Sequence, residues 1–253
     1  MDIITFFLIL GILQGVLEWL PVSSSGNVTL LVVNYVHVSF SEAVKVSFFL
    51  HGGTMLSVLV KFRSKIFKLA KDVLSAERTP FLDFYIVATI VSAVVGLPLY
   101  LLLELEIPEQ IGSLMIAFFL ILTGIIIRKQ RKGLKSVAET TLIDSCIVGI
   151  VQGISIIPGI SRSGMTISAL LSRGVNQEEA LQLSFLLSIP PVLGLMVLGF
   201  SGFQGVYLLS MGVSFVCSLL TMEIMLKTAQ KLNFSYFCFA VALVTILIVG
   251  LVY

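Results

Sequence analysis

The sequence predicts an all-α integral membrane protein, with six transmembrane helices and two re-entrant helical hairpins arranged as an inverted-topology repeat. Apolar residues make up 57% of the chain and charged residues only 12%, whereas soluble domains carry about 25% charged residues. Lysine and arginine are concentrated in a few short connections, and two segments share glycine, serine and glutamine at a constant spacing. We therefore expect residues 1–253 to form a single membrane domain.

Six apolar stretches are long enough to cross the hydrocarbon core, which takes about 20 helical residues. They lie at roughly 42–62, 84–104, 109–128, 178–200, 205–226 and 233–252. Basic residues cluster after the first, third and fifth stretches, whereas the connection after the second carries only glutamate. By the positive-inside rule, the three basic connections are cytoplasmic and both termini lie outside the cell. We expect a multi-pass protein of the plasma membrane.

Two further segments, about 3–36 and 143–173, are apolar at both ends but interrupted in the middle by proline, glycine and serine. The interruptions read "PVSSSGN" and "PGISRSG". Non-helical backbone at membrane depth is tolerated where protein or a water-filled cavity surrounds it. Each segment is also long enough for two short helices that enter and leave the bilayer on the same side. We therefore predict a re-entrant hairpin in each.

The two predicted hairpins are related by an internal repeat. The first contains Gly11, Ile12, Gln14, Gly15, Ser23, Ser25 and Gly26, and the same residue types recur 138 positions later as Gly149, Ile150, Gln152, Gly153, Ser161, Ser163 and Gly164. Three spans follow each hairpin, and because three is odd, the second half is inverted relative to the first. Halves of about 1–130 and 140–253 then bring both interrupted tips near the midplane, as in many transporters.

The polar residues of the two tips indicate an anion site. Ionisable residues at membrane depth usually serve function, and a guanidinium binds phosphate oxygens with two N–H groups. Glycine and serine before a helix N-terminus also offer N–H and hydroxyl groups to an anion. The candidate residues are Gln14, Glu18, Ser23, Ser24, Ser25, Gly26 and Asn27 at the first tip, and Ser161, Arg162, Ser163, Gly164 and Thr166 at the second. The predicted ligand is the diphosphate of a membrane lipid.

Structural explanations of the same residues stay open. Glu18 and Arg162 are also explained by an ion pair that joins the hairpins, because buried charges need partners whatever their role. The serines are also explained as hydrogen-bond partners of broken helix ends. The net charge of +2 gives no sign of nucleic-acid binding. The three cysteines are far apart in apolar surroundings, so they indicate neither a disulfide framework nor a metal site.

The segments "QGVLEWLPVSSSGN" and "PGISRSGMT" resemble the two signature motifs of the undecaprenyl-diphosphate phosphatase family, the bacitracin-resistance membrane phosphatases. The resemblance covers nearly the whole chain. It implies removal of the terminal phosphate from a polyprenyl diphosphate, which recycles the monophosphate carrier used in cell-envelope synthesis. It also implies an active site that opens to the extracytoplasmic face and a divalent cation, Mg²⁺ or Ca²⁺.

The resemblance assigns roles to individual residues. Glu18 matches the family's acid, a metal ligand or acid/base group, whereas Ser24 matches the proposed nucleophile and Arg162 the phosphate-binding arginine. Asn27 stands where the bacterial motif has histidine, and asparagine cannot titrate. This departure suggests a divergent branch whose carrier differs from the C55 lipid, such as a dolichol-type lipid.

His51 is the candidate to supply the missing acid/base group. It lies midway along the first predicted span, beside Gly52 and Gly53, which allow close backbone approach. An imidazole has an ordinary pKa suited to proton transfer near neutral pH. We therefore predict that His51 acts with Glu18 in catalysis. The alternative is a packed histidine that is hydrogen-bonded to a neighbouring helix.

Two functions remain open at this point. The carboxylate and the hydroxyl cluster favour hydrolysis of the lipid diphosphate. The inverted repeat and Asn27 favour a transporter or flippase that moves a polyprenyl phosphate without hydrolysing it. The expected partners are the lipid and the bilayer, and a homodimer is possible.

Overall fold

The computed structural model describes residues 2–20, 22–103, 107–128, 133–198, 205–228 and 235–252, and helices account for most of them. In chain order the α-helices α1 to α12 are Ile3–Leu17, Ser24–Val36, Phe40–Lys61, Arg63–Leu74, Pro80–Leu103, Glu109–Arg128, Leu142–Ile154, Arg162–Ser172, Gln177–Leu187, Ile189–Leu198, Gly205–Thr228 and Ser235–Val252. A short 3₁₀ turn, Val137–Glu139, precedes α7. The described residues contain no strand, although two isolated bridges join residues 133 and 135 to 176 and 175.

The prediction of an all-α membrane protein is confirmed. Among the described residues, five helical stretches are long and apolar enough to cross a membrane, namely Phe40–Lys61, Pro80–Leu103, Glu109–Ile126, Gln177–Leu198 and Gly205–Lys227. They match the first five predicted spans. The sixth predicted span corresponds to α12, which is not one of these five and which follows residues 229–234, outside the described part.

One predicted span, 178–200, is two helices in the structure rather than one. α9 ends at Leu187 and α10 begins at Ile189, with Ser188 between them. The physical reason is the pair Pro190 and Pro191 that follows. Proline has no N–H to donate, so Pro190 and Pro191 cannot continue the hydrogen bonds of α9, whereas proline is well tolerated in the first turn of a new helix.

Each segment predicted as a hairpin contains two short helices with a non-helical tip between them. α1 and α2 have 15 and 13 residues, and α7 and α8 have 13 and 11. At about 1.5 Å per residue, all four are shorter than the roughly 30 Å hydrocarbon core. Pro21 of the first tip lies outside the described residues. The re-entrant and inverted arrangement of these segments stays a prediction.

Glycines that recur in the two halves bring helices into close contact. A Cβ atom on Gly15 of α1 would lie 2.6 Å from the carbonyl oxygen of Ser214 on α11. A Cβ atom on its counterpart Gly153 of α7 would lie 2.8 Å from the carbonyl oxygen of Ser92 on α5. Small residues allow helix backbones to approach closely in membranes. These glycines therefore fix where the first helix of each segment packs.

The two tips lie between two hydrophobic clusters. Trp19, next to the first tip, belongs to a cluster that also contains Phe185 and Met222. Ile116 belongs to the second cluster, and both Gly26 and Gly159 pack closely against it. The tips therefore contact both clusters, which hold their polar side chains inside the helix bundle.

Candidate active site

The two tips touch through backbone. The Gly159 N–H donates to the hydroxyl of Ser23 at 3.0 Å, and a Cβ atom on Gly26 would lie 2.9 Å from the Gly159 nitrogen. Gly159 has a φ of +100°, in the left-handed region that glycine adopts without steric strain. This contact brings the N-termini of α2 and α8 together.

Serine side chains cap both of these helices in the same way. Ser23 accepts from the Gly26 N–H at 3.3 Å, and Ser161 accepts from the Gly164 N–H at 3.1 Å. The cap hydroxyls also lie 3.4 Å from the hydroxyl of Ser25 and 3.3 Å from that of Ser163, respectively. A side-chain oxygen at the N-cap satisfies a backbone donor that has no partner within the helix. One serine of each tip, Ser23 or Ser161, is therefore a hydrogen-bond partner of a helix end, which is the structural explanation given above for the serines.

Glu18 is the centre of a buried polar cluster. Its side chain is 4% exposed. One carboxylate oxygen, Oε1, pairs with the Arg162 guanidinium. The other oxygen, Oε2, accepts from the Ser24 hydroxyl at 2.6 Å and from the Gln14 side-chain amide at 3.0 Å. Glu18 therefore joins the first tip to the second.

Arg162 is held by three groups as the first residue of α8. Besides Glu18, its guanidinium donates to the carbonyl oxygen of Ser184 at 2.9 Å. Its Cζ atom lies 5.9 Å from the centroid of the Trp19 ring, within the range of a cation–π interaction. These contacts hold the guanidinium in place, and Arg162 lines a cavity.

His51 completes the cluster. Its Nδ1 lies 2.7 Å from the Ser47 carbonyl oxygen, which can only accept, so Nδ1 carries a hydrogen. Its Nε2 lies 3.1 Å from Glu18 Oε2 and 3.4 Å from the Ser24 hydroxyl oxygen. An ionised carboxylate also only accepts, so Nε2 donates to this oxygen only when the imidazole carries a proton on that nitrogen as well. The four residues predicted as catalytic, Glu18, Ser24, His51 and Arg162, therefore form one cluster in which each of the other three contacts Glu18.

A cavity of about 350 Å³ lies against this cluster. Its polar wall includes Glu18, Ser23, Ser24, Ser25, His51, Ser161, Arg162 and Ser163, and its apolar wall includes Phe48, Leu97, Tyr100, Ile156, Ile160, Leu195 and Leu198. The polar wall offers hydroxyl and guanidinium donors to an anion. The apolar wall offers a surface for a hydrocarbon chain.

Five residues predicted to bind substrate do not line this cavity, namely Gln14, Gly26, Asn27, Gly164 and Thr166. The Gln14 side-chain amide donates to Glu18 instead. The Asn27 side-chain amide donates to the backbone carbonyls of Val22 and Ser23, at 3.0 Å and 2.8 Å. The Thr166 hydroxyl lies 2.6 Å from that of Ser184. These contacts support the tips, so the structure gives these residues positions behind the wall.

The cavity wall also contains polar residues that the motifs did not point to. They are Thr89 and Ser92 on α5, Gln152 on α7 and Ser155 directly after it. Gln152 is the repeat counterpart of Gln14, and this pairing was the one signal in the sequence that could have identified it. Nothing in the sequence distinguishes Thr89 from other hydroxyl residues of the spans.

The residues at the cavity do not form a site for the expected divalent cation. Within the described ranges, no three His, Cys, Asp or Glu side chains come together as a metal-binding group. Among the described residues, Glu18 is the one carboxylate in the wall, and both its oxygens already have hydrogen-bond or ion-pair partners. Calcium takes six to eight oxygen ligands, and magnesium needs near-octahedral oxygen coordination. The positively charged guanidinium of Arg162 lies beside the Glu18 carboxylate and repels either cation.

The chain is similar to known proteins over almost all of its length. The profile of the family described as Bacitracin resistance protein BacA matches residues 7–247. A protein of Methanothrix thermoacetophila named undecaprenyl-diphosphatase is 37% identical over 254 residues, covering 96% of this chain and 96% of that protein. Proteins with the same name from Methanococcoides burtonii and Methanopyrus kandleri are 37% and 38% identical, over 95% and 94% of this chain and 96% and 93% of their own lengths.

Proposed function

The chain belongs to the family of bacitracin resistance protein BacA, and we propose that it is an undecaprenyl-diphosphatase. It hydrolyses undecaprenyl diphosphate to inorganic phosphate and the lipid monophosphate. The observation that carries this proposal is the buried contact in which the Ser24 hydroxyl donates to Glu18, beside Arg162, in a cavity with one polar and one apolar wall. The transporter alternative is not favoured, because the relatives are named for hydrolysis.

The two walls match the two parts of the substrate. The outer phosphate lies against Arg162 and the serine hydroxyls, because a guanidinium binds phosphate oxygens with two parallel N–H groups. The prenyl chain follows the apolar side chains that α5 and α10 contribute, including Leu97, Leu195 and Leu198. The prenyl chain comes from hydrocarbon rather than from water, so its contact with this wall is stabilised by van der Waals packing and not by hydrophobic transfer.

The reaction begins with attack of the Ser24 oxygen on the outer phosphorus. As the new O–P bond forms, the hydroxyl proton moves to Glu18, which is 2.6 Å away. The bond between the outer phosphorus and the bridging oxygen breaks, and the lipid monophosphate leaves. Water then attacks the phosphorus of the phosphoserine, the bond between phosphorus and the Ser24 oxygen breaks, and that oxygen takes back the proton from Glu18 as inorganic phosphate leaves. His51 shares the proton held by Glu18, and Arg162 stabilises negative charge on the transferred phosphoryl group, which is the main catalytic contribution in such reactions.

The divalent cation that the resemblance implied has no place in this sequence of steps. The part of the chain that the structure describes contributes one carboxylate at the cavity, and that carboxylate is already bound by Arg162, Ser24 and Gln14. Each step above therefore rests on the chain's own residues.

We also propose that the cavity opens to the extracytoplasmic side of the plasma membrane. The basic residues that follow α3 and α6 support this orientation through the positive-inside rule. The inverted repeat, the homodimer and the dolichol-type carrier remain predictions.

Phosphate release in detergent tests the proposal. We expect purified protein to release one inorganic phosphate per undecaprenyl diphosphate consumed and to leave the lipid monophosphate. Detergent removes any sidedness, so a flippase without hydrolytic activity releases none, and that result would reject the proposal. Ser24→Ala should lose turnover, whereas the matched control Ser145→Ala, a buried serine outside the cavity wall, should keep it. An active Ser24→Ala variant would identify water as the nucleophile.

A further inference from the structure

Two polar side chains of the cavity wall have no hydrogen-bond partner within the part of the chain that the structure describes. Neither the amide nitrogen nor the amide oxygen of Gln152 has one, and the same holds for the hydroxyl of Thr89. Gln152 is 3% exposed, and both residues line the cavity that contains Glu18 and Arg162. Buried polar groups in native proteins nearly always have a partner. This part of the wall therefore has the properties of a ligand site.

The repeat explains why Gln152 is unpaired. Its counterpart Gln14 donates to Glu18 at 3.0 Å, four residues further along the chain. Four residues after Gln152 the chain has Ile156, whose side chain cannot accept a hydrogen bond. The amide of the second half therefore keeps its donor and acceptor groups for something in the cavity.

The face of α5 that lines the cavity changes from polar to apolar. Its residues Thr89, Ser92, Leu97 and Tyr100 are spaced so that they lie on one side of the helix. They extend over roughly 16 Å at the usual helical rise. Thr89 and Ser92 are followed by Leu97 and Tyr100, so a polar group bound near Thr89 lies close to a surface for hydrocarbon.

We propose that Gln152 and Thr89 bind the inner phosphate of the polyprenyl diphosphate, the phosphate that stays on the lipid after hydrolysis. This inference deepens the proposed function and rests on it. The inner phosphate is esterified to the lipid and joined to the outer phosphate, so it carries a single negative charge, whereas the outer phosphate carries up to two. The neutral donors Gln152 and Thr89 match the singly charged inner phosphate, and the charged Arg162 matches the outer phosphate.

The bonds follow from the chemistry of the two side chains. The Gln152 amide N–H and the Thr89 hydroxyl donate to oxygens of the inner phosphate, and the Gln152 amide oxygen accepts from a water that accompanies it. The leaving group of the reaction is the same phosphate. Gln152 and Thr89 are therefore expected to hold both the substrate and the lipid product.

A matched control exists on another helix. Thr29 on α2 is buried and its hydroxyl also has no partner within the described residues, but Thr29 does not line the cavity. Thr89→Val and Thr29→Val make the same chemical change, and only the first removes a donor from the cavity wall. A general effect of losing a buried hydroxyl would appear in both variants.

The experiment measures inhibition of phosphate release by two products in wild type, Gln152→Leu, Thr89→Val and Thr29→Val. Polyprenyl monophosphate carries the inner phosphate, whereas inorganic phosphate corresponds to the outer one. We expect Gln152→Leu and Thr89→Val to raise the KM for the diphosphate and the inhibition constant of the lipid monophosphate by about tenfold or more, as loss of a hydrogen bond to a charged group predicts. Inhibition by inorganic phosphate and all constants of Thr29→Val should stay at wild-type values.

Two results would overturn the inference. One is unchanged inhibition by the lipid monophosphate in both cavity variants, and the other is a selective weakening of inhibition by inorganic phosphate, which would assign the pair to the outer phosphate. Thr89→Val nearly preserves side-chain shape and carries the test if Gln152→Leu does not fold. A wild-type protein that releases no phosphate would instead reject the proposed function, so the two failures are distinguishable.

Discussion

The tip between α1 and α2 and the tip between α7 and α8 have the same capping bonds but different charged groups. In both, the cap serine accepts from a glycine N–H three residues later and contacts a second serine hydroxyl. Between those two serines the first tip has Ser24 and the second has Arg162. The repeat therefore provides two helix N-termini with the same capping bonds, and the tips differ at the residue where the repeat is broken.

The same contrast holds one helix earlier. Gln14 and Gln152 occupy equivalent positions, but Glu18 follows the first and Ile156 follows the second. The acid is thus confined to one half and the guanidinium to the other, and the ion pair between them requires both halves. The predictions below change Arg162, then His51 beside Glu18, and last the two cap serines that both tips share.

The largest effect is expected at Arg162. Arg162→Lys should lower kcat/KM for the diphosphate by about 10³-fold, because a point charge cannot replace two parallel N–H donors at a developing phosphoryl charge. Phosphate release in detergent measures this. The control is Arg173→Lys, since Arg173 forms a similar ion pair with Asp144 but lies outside the cavity wall. Equal activity of Arg162→Lys and wild type would mean that charge alone matters at the second tip.

A smaller loss is expected at His51. His51→Gln should lower kcat by about 10²-fold, the lower part of the range for acid–base assistance, because Glu18 still accepts the Ser24 proton. The matched control is His37→Gln, which changes the other of the two histidines in the chain at a position outside the cavity wall. The measurement is kcat as a function of pH. If His51→Gln turns over like wild type with an unchanged pH profile, His51 has no part in catalysis and is a packed histidine.

The smallest effect concerns the two cap serines. Loss of an N-cap side chain destabilises a helix by about 1 kcal/mol, so Ser161→Ala should lower the free energy of unfolding by about that amount. Ser23→Ala should cost about twice as much, because Ser23 also accepts from the Gly159 N–H of the other tip. Thermal unfolding in detergent measures both variants. Equal losses would show that the contact between the tips contributes nothing to stability.

The sequence predicted much of this arrangement and missed specific parts of it. Hydropathy identified the spans, because the bilayer imposes a minimum length, and the repeat identified both tips. The break at Ser188 was missed because a helix that restarts at proline keeps the hydropathy of a continuous span. Thr89 was missed because the cavity-facing side of α5 depends on packing against α7, and no pattern within α5 encodes that contact.

Asn27 is a second residue whose contacts could not be predicted from its place in the sequence. Its place in the motif suggested a substrate-binding residue, yet its amide is occupied by the backbone carbonyls of Val22 and Ser23. Asparagine often bonds local backbone in this way. His51, in contrast, was found by its depth in an apolar span, because a polar group there needs a partner, and Glu18 is that partner.

The ion pair between Glu18 and Arg162 also has a consequence for synthesis on the ribosome. The two residues are 144 positions apart, which at 5–20 residues per second corresponds to a delay of roughly 7 to 29 s. During that interval Glu18 lacks its guanidinium, and an unpaired carboxylate in hydrocarbon is unfavourable by several kcal/mol. Nascent α1 and α2 must therefore keep Glu18 in contact with water until α8 is inserted. Insertion of α8 is thus the step that completes the ion pair, before α9 to α12 enter the membrane.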